Sequence, residues 1–479
     1  MEFLQNIFNI ALPEMIIILF IFIQLIMSLV LDMKYYKLSK WFSVLGIFWA
    51  TSLCTNLHTE TYTYGFKNSI IYSNFTVFFK LMILISSFLI VFLTKKTITS
   101  RRDNAFQFHA LFLTAILGAL SLVSSNDFLT MFISMETLGF TTFFLIAFDK
   151  GYKSKEATFK YLIMSAVASA VFLFGVSYLY GISGSINFSE IYQHFLTQSP
   201  TLLYPMAAIF IICGISFKLG VIPFANWILD IYEGANTSVA AFISIVPKVA
   251  MIGALARLLA FPLTYSSFIL IIISLATALW ANTLAVRQKN IKRLLGCSSS
   301  ANAAYMLFVL ALIKSDPFNL STIMFYLVTY IFMNIGVFAA IVILENSEFS
   351  NKLYEFKNFA YTNPIFTAGF AICIFGLAGL PITGGFISKL YLLLGMSRSG
   401  LFFLPFLIIM LMAIAVSVYY YMTIVRYMFE KSDTATSEVI AHKTSSAIVI
   451  LYSCAAITVV LGLFPSEIIK LCQIIAYNI

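Results

Sequence analysis

Residues 214–257 read GISFKLGVIPFANWILDIYEGANTSVAAFISIVPKVAMIGALAR. Two lysines, Lys218 and Lys248, each stand near the middle of a long apolar run. Between them lie a Gly/Pro break, Gly220 to Pro223, and a short polar connection with Asp230, Glu233 and Asn236. A lysine at bilayer depth is costly and seldom there by accident. A helix interrupted beside it frees backbone groups, which must find partners in protein or water. Two buried lysines on adjacent helices, one of them broken, point to an ion or proton path through a membrane.

Working outward, the 479-residue chain is 61% hydrophobic and 10% charged, with a mean hydropathy of +0.95. Soluble domains carry about 25% charged residues. The composition therefore predicts an all-α polytopic membrane protein. Apolar runs predict fourteen spans: 12–31, 41–56, 74–94, 107–124, 127–148, 157–181, 202–229, 237–260, 265–286, 295–313, 320–344, 364–395, 402–426 and 445–472. The first run has no basic flank and no A-x-A-like site, and Glu14 stands at its entry, so it is not read as a cleavable signal. Six scattered cysteines, with no C-x-x-C or Cys/His cluster, argue for packing rather than zinc or iron–sulfur ligation. No phosphate-binding glycine motif is present, so no nucleotide is expected.

Loop charge orients the spans. Alternate connections (32–40, 95–106, 149–156, 230–236, 287–294, 345–363, 426–444) carry nineteen lysines and arginines, and the opposite set carries four: Lys67, Lys314, Arg398 and Lys470. By the positive-inside rule the first set is expected in the cytoplasm and both termini outside. Topology thus accounts for most of the net charge of +9 without invoking nucleic acid. Six basic residues remain in or beside spans. Lys160 and Arg257 lie at span ends and can snorkel, and the same reading is preferred for Lys80. Lys218, Lys248 and Lys389 lie too deep for it. Among acids, Glu136 is mid-span with no charged neighbour in sequence, so it should be neutral or paired with a base on another helix. Glu14 is near a helix end and His109 near a span start; a surface or interfacial role is expected for both.

Spans 4–8 and 9–13 form two blocks of five helices. Five is odd, so the second block is inverted relative to the first. The fourth helix of each is broken, at Gly220–Pro223 and at Gly379-Leu-Pro381-Ile-Thr-Gly384-Gly385, and each carries a lysine near the break. Inverted repeats with paired broken helices suit ion-coupled transport, with sites at the breaks. The expected division is three N-terminal helices (1–104), a first repeat (105–262), an inverted second repeat (263–430) and a C-terminal helix (431–479).

These stretches carry a family likeness. FKLGVIPFANWILDIYEGA, SIVPKVAMIGALARLL around Lys248, NIKRLLGCSSSANAAYML and GLAGLPITGGFISKLYLL resemble segments of the antiporter-like subunits of respiratory complex I, relatives of subunits of multisubunit sodium/proton antiporters. The likeness covers about residues 105–430. Three features favour one subunit type. After the fourteenth span the long lateral helix of the largest subunit is not expected. Lys389 stands where the middle subunit would have a glutamate. KEATFKY (155–161) fits the start of span 6. One departure is Asn302, where many members have a histidine. Asparagine can hold a water but cannot change charge near neutral pH.

The resemblance implies proton translocation in a bacterial inner membrane without redox chemistry in this chain. Flavin, iron–sulfur clusters and quinone would belong to partner subunits. The physics of the residues agrees. Burial disfavours a charged ammonium and a nearby carboxylate favours it, so the spacing of such a pair can control proton exchange. Glu136, Lys218, Lys248 and Lys389 are the expected relay. Ser298, Ser299, Asn302 and Tyr305 are expected to order waters, and the breaks at Pro223 and Pro381 to add backbone groups. Two other readings stand beside this one. A subunit of a cation/proton antiporter would not copurify with flavin and iron–sulfur subunits. A scaffold with only structural ion pairs would keep full pumping after lysine substitution.

Overall fold

The computed structural model describes residues 11–31, 35–56, 63–94, 105–149, 151–197, 202–260, 266–346, 350–431 and 445–477. Of the loop charges counted above, Lys34, Lys95, Lys96, Arg101, Arg102, Lys150 and Lys443 lie outside them. Nineteen α-helices occur among the described residues: α1 (Leu12–Val30), α2 (Tyr36–Asn56), α3 (Asn74–Leu93), α4 (Ala105–Ser124), α5 (Phe128–Ala147), α6 (Tyr152–Ser183), α7 (Phe188–Thr197), α8 (Leu203–Leu219), α9 (Trp227–Gly234), α10 (Thr237–Ala260), α11 (Ser266–Val286), α12 (Ile291–Ala311), α13 (Phe318–Glu345), α14 (Phe359–Thr362), α15 (Pro364–Ala378), α16 (Gly384–Arg398), α17 (Leu404–Phe429), α18 (Ser445–Leu463) and α19 (Ser466–Tyr477). Eleven are long and apolar enough to cross a membrane. With α2 and the two interrupted pairs, α8/α9 and α15/α16, all fourteen expected spans have a helical counterpart.

Local chemistry sets the helix ends. Ser73 and Asp127 accept hydrogen bonds from the amides of Thr76 and Thr130, opening α3 and α5. The Asn290 side chain accepts from the amides of Lys292 and Arg293 at the start of α12. Each cap satisfies a donor that has no partner inside its helix. At the first break, Gly220 takes a left-handed φ of 68° and a cis Ile222–Pro223 bond follows. At the second, Gly379 at φ 82° ends α15.

Three expectations are corrected. The span at 445–472 is two helices, because Pro465 cannot donate to the helical ladder and α18 stops two residues before it. Asp230 and Glu233 lie on a helix, α9, rather than in an open connection. A two-stranded antiparallel hairpin, Thr63–Gly65 with Ile70–Tyr72, precedes α3. The spans listed above leave these residues as a plain connection, and a strand of three residues is too short to show alternation.

The chain divides into two compact units. One holds α1–α8 together with Val246–Leu270; the other holds Gly220–Ile245 and Ile271–Tyr477. In the first, α1 packs on α2 and α4, α2 on α3, α4 on α5, and α6 on both α5 and α8. In the second, α13 is the hub against α15, α16, α18 and α19, while α9 lies on α12. The apolar windows of α10 and α12 are wholly buried. These are the helices that carry Lys248 and the Ser298–Tyr305 segment, so chemistry there is shielded from lipid.

Candidate functional site

In the first unit, α5, α6 and α8 bring together an acid, a base and two hydroxyls. The Lys218 ammonium stands 3.7 Å from a carboxylate oxygen of Glu136. That is an ion pair longer than a hydrogen bond. Each member has a second partner. Lys218 donates to Ser165 at 3.2 Å, and Ser169 donates to the same Glu136 oxygen at 2.6 Å. Ser165 and Ser169 are one turn apart and so share a face of α6. The pair is therefore close enough to couple and not locked together.

Gly139, one turn after Glu136, makes the approach possible. A Cβ there would overlap the Lys218 ammonium. The ammonium also lies 5.3 Å from the Phe217 ring and 6.0 Å from that of Tyr161, whose negative faces suit a cation. A cleft of about 40 Å³ beside Glu136, Tyr161 and Ser165 has room for about three waters. Lys218 is buried, while the Glu136 side chain keeps 18% exposure. Lys248 is buried on α10, directly after the intrahelical Pro247.

In the second unit the other expected residues fall into a hydroxyl-rich interior. Lys389 is buried on α16 and donates to the carbonyls of Leu377 and Ala378, at 2.7 and 3.0 Å. These are the last carbonyls of α15, which the break leaves without helical donors. A cation at a helix C-terminus is also favoured by the helix dipole. Pro381 lies in the turn between α15 and α16. Around α12, Ser298 bonds Tyr421. Ser299 bonds Tyr232 at 2.8 Å and Tyr330 at 3.1 Å. Asn302 accepts from Tyr326 at 2.8 Å, and Tyr305 accepts from Asn282 at 3.0 Å. Tyr330 in turn reaches Ser244 at 3.3 Å. The buried side chain of Asn302 also reaches Tyr421, which places it inside this hydroxyl network. Backbone at the first break is held in the same way: Ser300 donates to the Gly220 carbonyl and Thr277 accepts from the Ile222 amide.

Sequence reasoning found the charges and missed their hydroxyl partners. Ser165, Ser169, Tyr232, Tyr326, Tyr330 and Tyr421 are common residue types in spans, and only three-dimensional neighbourhood distinguishes them. The one available signal was the four-residue spacing of Tyr161, Ser165 and Ser169.

Four readings of the remaining charges are overturned. Lys80 does not snorkel: it is fully buried and pairs with Glu14 at 2.5 Å, which gives Glu14 an interior partner. Arg257 is buried, donating to the Val123 carbonyl at 3.0 Å and to Thr76 at 2.7 Å. His109 is fully buried instead of interfacial. For Lys80 and Arg257, a neighbouring helix end covers a position that sequence alone places near the span edge.

Comparison with known proteins follows the same lines. Residues 125–416 match the family described as NADH:quinone oxidoreductase/Mrp antiporter, transmembrane. The chain is 32% identical over 421 residues to NADH-quinone oxidoreductase subunit N 2 of Rhizobium meliloti, covering 86% of each chain. It is 34% identical over 415 residues to NADH-quinone oxidoreductase subunit N of a Paenibacillus species, covering 82% of this chain and 78% of the relative. In fold it is similar to a chain of respiratory complex I from Thermus thermophilus solved with bound aureothin, with a TM-score of 0.81, 24% identity, and coverage of 96% and 98%. The chain belongs to the antiporter-like membrane subunits of NADH–quinone oxidoreductase, in the subunit N branch of that family.

Proposed function

We propose that this chain translocates protons along a relay of Glu136, Lys218, Lys248 and Lys389, coupled to quinone reduction in partner subunits that hold flavin, iron–sulfur clusters and quinone. The observation that carries this reading is the Glu136–Lys218 pair, held 3.7 Å apart with a hydroxyl partner for each member. When the pair closes, the carboxylate stabilises the proton on Lys218. When it opens, Ser165 and Ser169 satisfy the separated groups and the proton can pass on to Lys248. The hydroxyl-lined interior around Ser298, Asn302 and Tyr305 supports water-mediated transfer toward Lys389. The two breaks mark equivalent places in inverted repeats, and the chain lies in a bacterial inner membrane with both termini outside.

The test uses Lys248→Arg and Lys389→Arg. A guanidinium keeps the positive charge and does not release its proton. Both variants are expected to assemble, checked by subunit blotting, and to lose NADH-driven pumping in sealed vesicles. Full pumping by Lys389→Arg would show that protons do not leave through Lys389, and the relay as drawn would fail. A cation/proton antiporter is the second reading, because the matched family also covers Mrp antiporters. Purification without flavin and iron–sulfur subunits would favour it.

A further inference from the structure

Helices α1–α4 hold a second set of buried polar groups, apart from the site above. The four helices alternate in direction. Glu14 at the start of α1 meets Lys80 near the start of α3. Gln24, toward the end of α1, meets Ser39 and Ser43 near the start of α2 at 2.6 and 3.0 Å. Lys40 in α2 donates to the Phe92 carbonyl at the end of α3. At 1.5 Å per residue, Glu14 and Lys80 lie about 3 and 9 Å from one end of the bundle. By the same helical rise, Gln24, Ser43, Ser87 and His109 stand at one level, a belt about 18–22 Å from that end.

Every member of this belt is fully buried. Both ring nitrogens of His109, Oγ of Ser87, Oε1 of Gln24 and, near the far end, Oε2 of Glu14 lack hydrogen-bond partners among the described residues. Buried polar atoms are nearly always satisfied, by protein or by ordered water. A group of orphans at one level therefore points to water shared among them. Lys80 and Ser87, seven residues apart, lie on one stripe of α3. Between them on that stripe are Ile83 and Leu84, both fully buried and apolar. Tyr72 of the hairpin faces the Lys80 ammonium at 5.4 Å. Burial, then the neighbouring Cys54 and Glu14, push its phenol above the usual range, so it keeps its proton.

We propose that α1–α4 enclose a second hydrated proton path, running from the His109–Gln24–Ser87 belt to the Glu14–Lys80 pair and closed by a dry apolar collar at Ile83 and Leu84. Apolar constrictions of this kind gate by dewetting. The path does not depend on the Glu136–Lys218 relay.

The test opens the collar. Assembled complex carrying Leu84→Ser, in sealed vesicles with an imposed pH gradient, should dissipate the gradient severalfold faster than the unaltered complex. Adding His109→Phe and Gln24→Leu should return the leak to its starting value. A normally assembled Leu84→Ser complex with unchanged leak would overturn the path, as would a leak that persists after the belt is removed. Should Leu84→Ser not assemble, the milder Ile83→Thr, which keeps a β-branched side chain of similar width, carries the test. The same severalfold faster leak is expected, and an unchanged leak in the assembled Ile83→Thr complex would overturn the proposal. Neither result bears on Lys248→Arg or Lys389→Arg, so the two readings fail separately.

Discussion

Gly139→Ala probes the central pair without touching a charge. The added methyl would overlap the Lys218 ammonium, which must withdraw about 1.5 Å to reach ordinary contact. If it withdraws away from Glu136, the separation grows from 3.7 Å to about 5.2 Å. At an effective dielectric of about 20, the attraction falls from about 4.5 to about 3.2 kcal/mol. The loss of about 1.3 kcal/mol makes the closed pair roughly tenfold less populated relative to the open one. The substitution should not harm folding, since alanine in a helix interior is favoured over glycine by about 1 kcal/mol. The expected phenotype is a fully assembled complex with strongly reduced pumping, measured as NADH-driven acidification of sealed vesicles against subunit content. Full pumping by assembled Gly139→Ala would show that close approach of Lys218 to Glu136 is not required, and the reasoning from this geometry would fail.

Other substitutions test neighbouring parts. Glu136→Ala should reduce pumping and quinone reduction together, whereas Glu136→Asp should retain part of both; equal wild-type rates for the two would rule out the pair. Arg257→Leu removes two charge-assisted hydrogen bonds, to Val123 and Thr76, and should cost about 3 kcal/mol, read as reduced thermal stability and subunit content of the complex. Tags in the 95–106 and 287–294 connections should be reachable from the cytoplasm alone, and tags at Glu60 and Ser199 from outside alone, by protease protection in oriented vesicles; Glu60 and Ser199 lie outside the described residues. One reversed loop would break the inverted-repeat argument.

Much of this molecule could be read before its structure. Membrane spans declare themselves because twenty apolar residues have few alternatives, and both helix breaks were announced by Gly and Pro. Glu136, Lys218 and Lys389 stood out because a charge in an apolar run has a large energetic cost. What stayed hidden follows from the same physics. Ser165 and Ser169 cost little anywhere in a helix, so their presence beside Glu136 and Lys218 leaves no mark in the sequence. Lys80, Arg257 and His109 were misjudged because distance from a span end was taken for exposure. Whether a side chain near a helix terminus reaches water depends on what neighbouring chain covers it. For Lys80 that cover is Glu14, sixty-six positions away.

The seating of Lys389 has a further consequence. Its ammonium occupies the place that the next turn of backbone amides would fill if α15 ran on unbroken. Cation and break are thus two halves of one equilibrium, and linkage makes their influence mutual. A proton leaving Lys389 removes the charge that strengthens its two hydrogen bonds to the Leu377 and Ala378 carbonyls, and any motion that reshapes the adjoining turn alters how firmly the proton is held. The fracture in the helix becomes a mechanical port to a chemical event. Amide hydrogen exchange through residues 380–384 should therefore accelerate in Lys389→Met; unchanged protection would show that the turn keeps its shape without the cation.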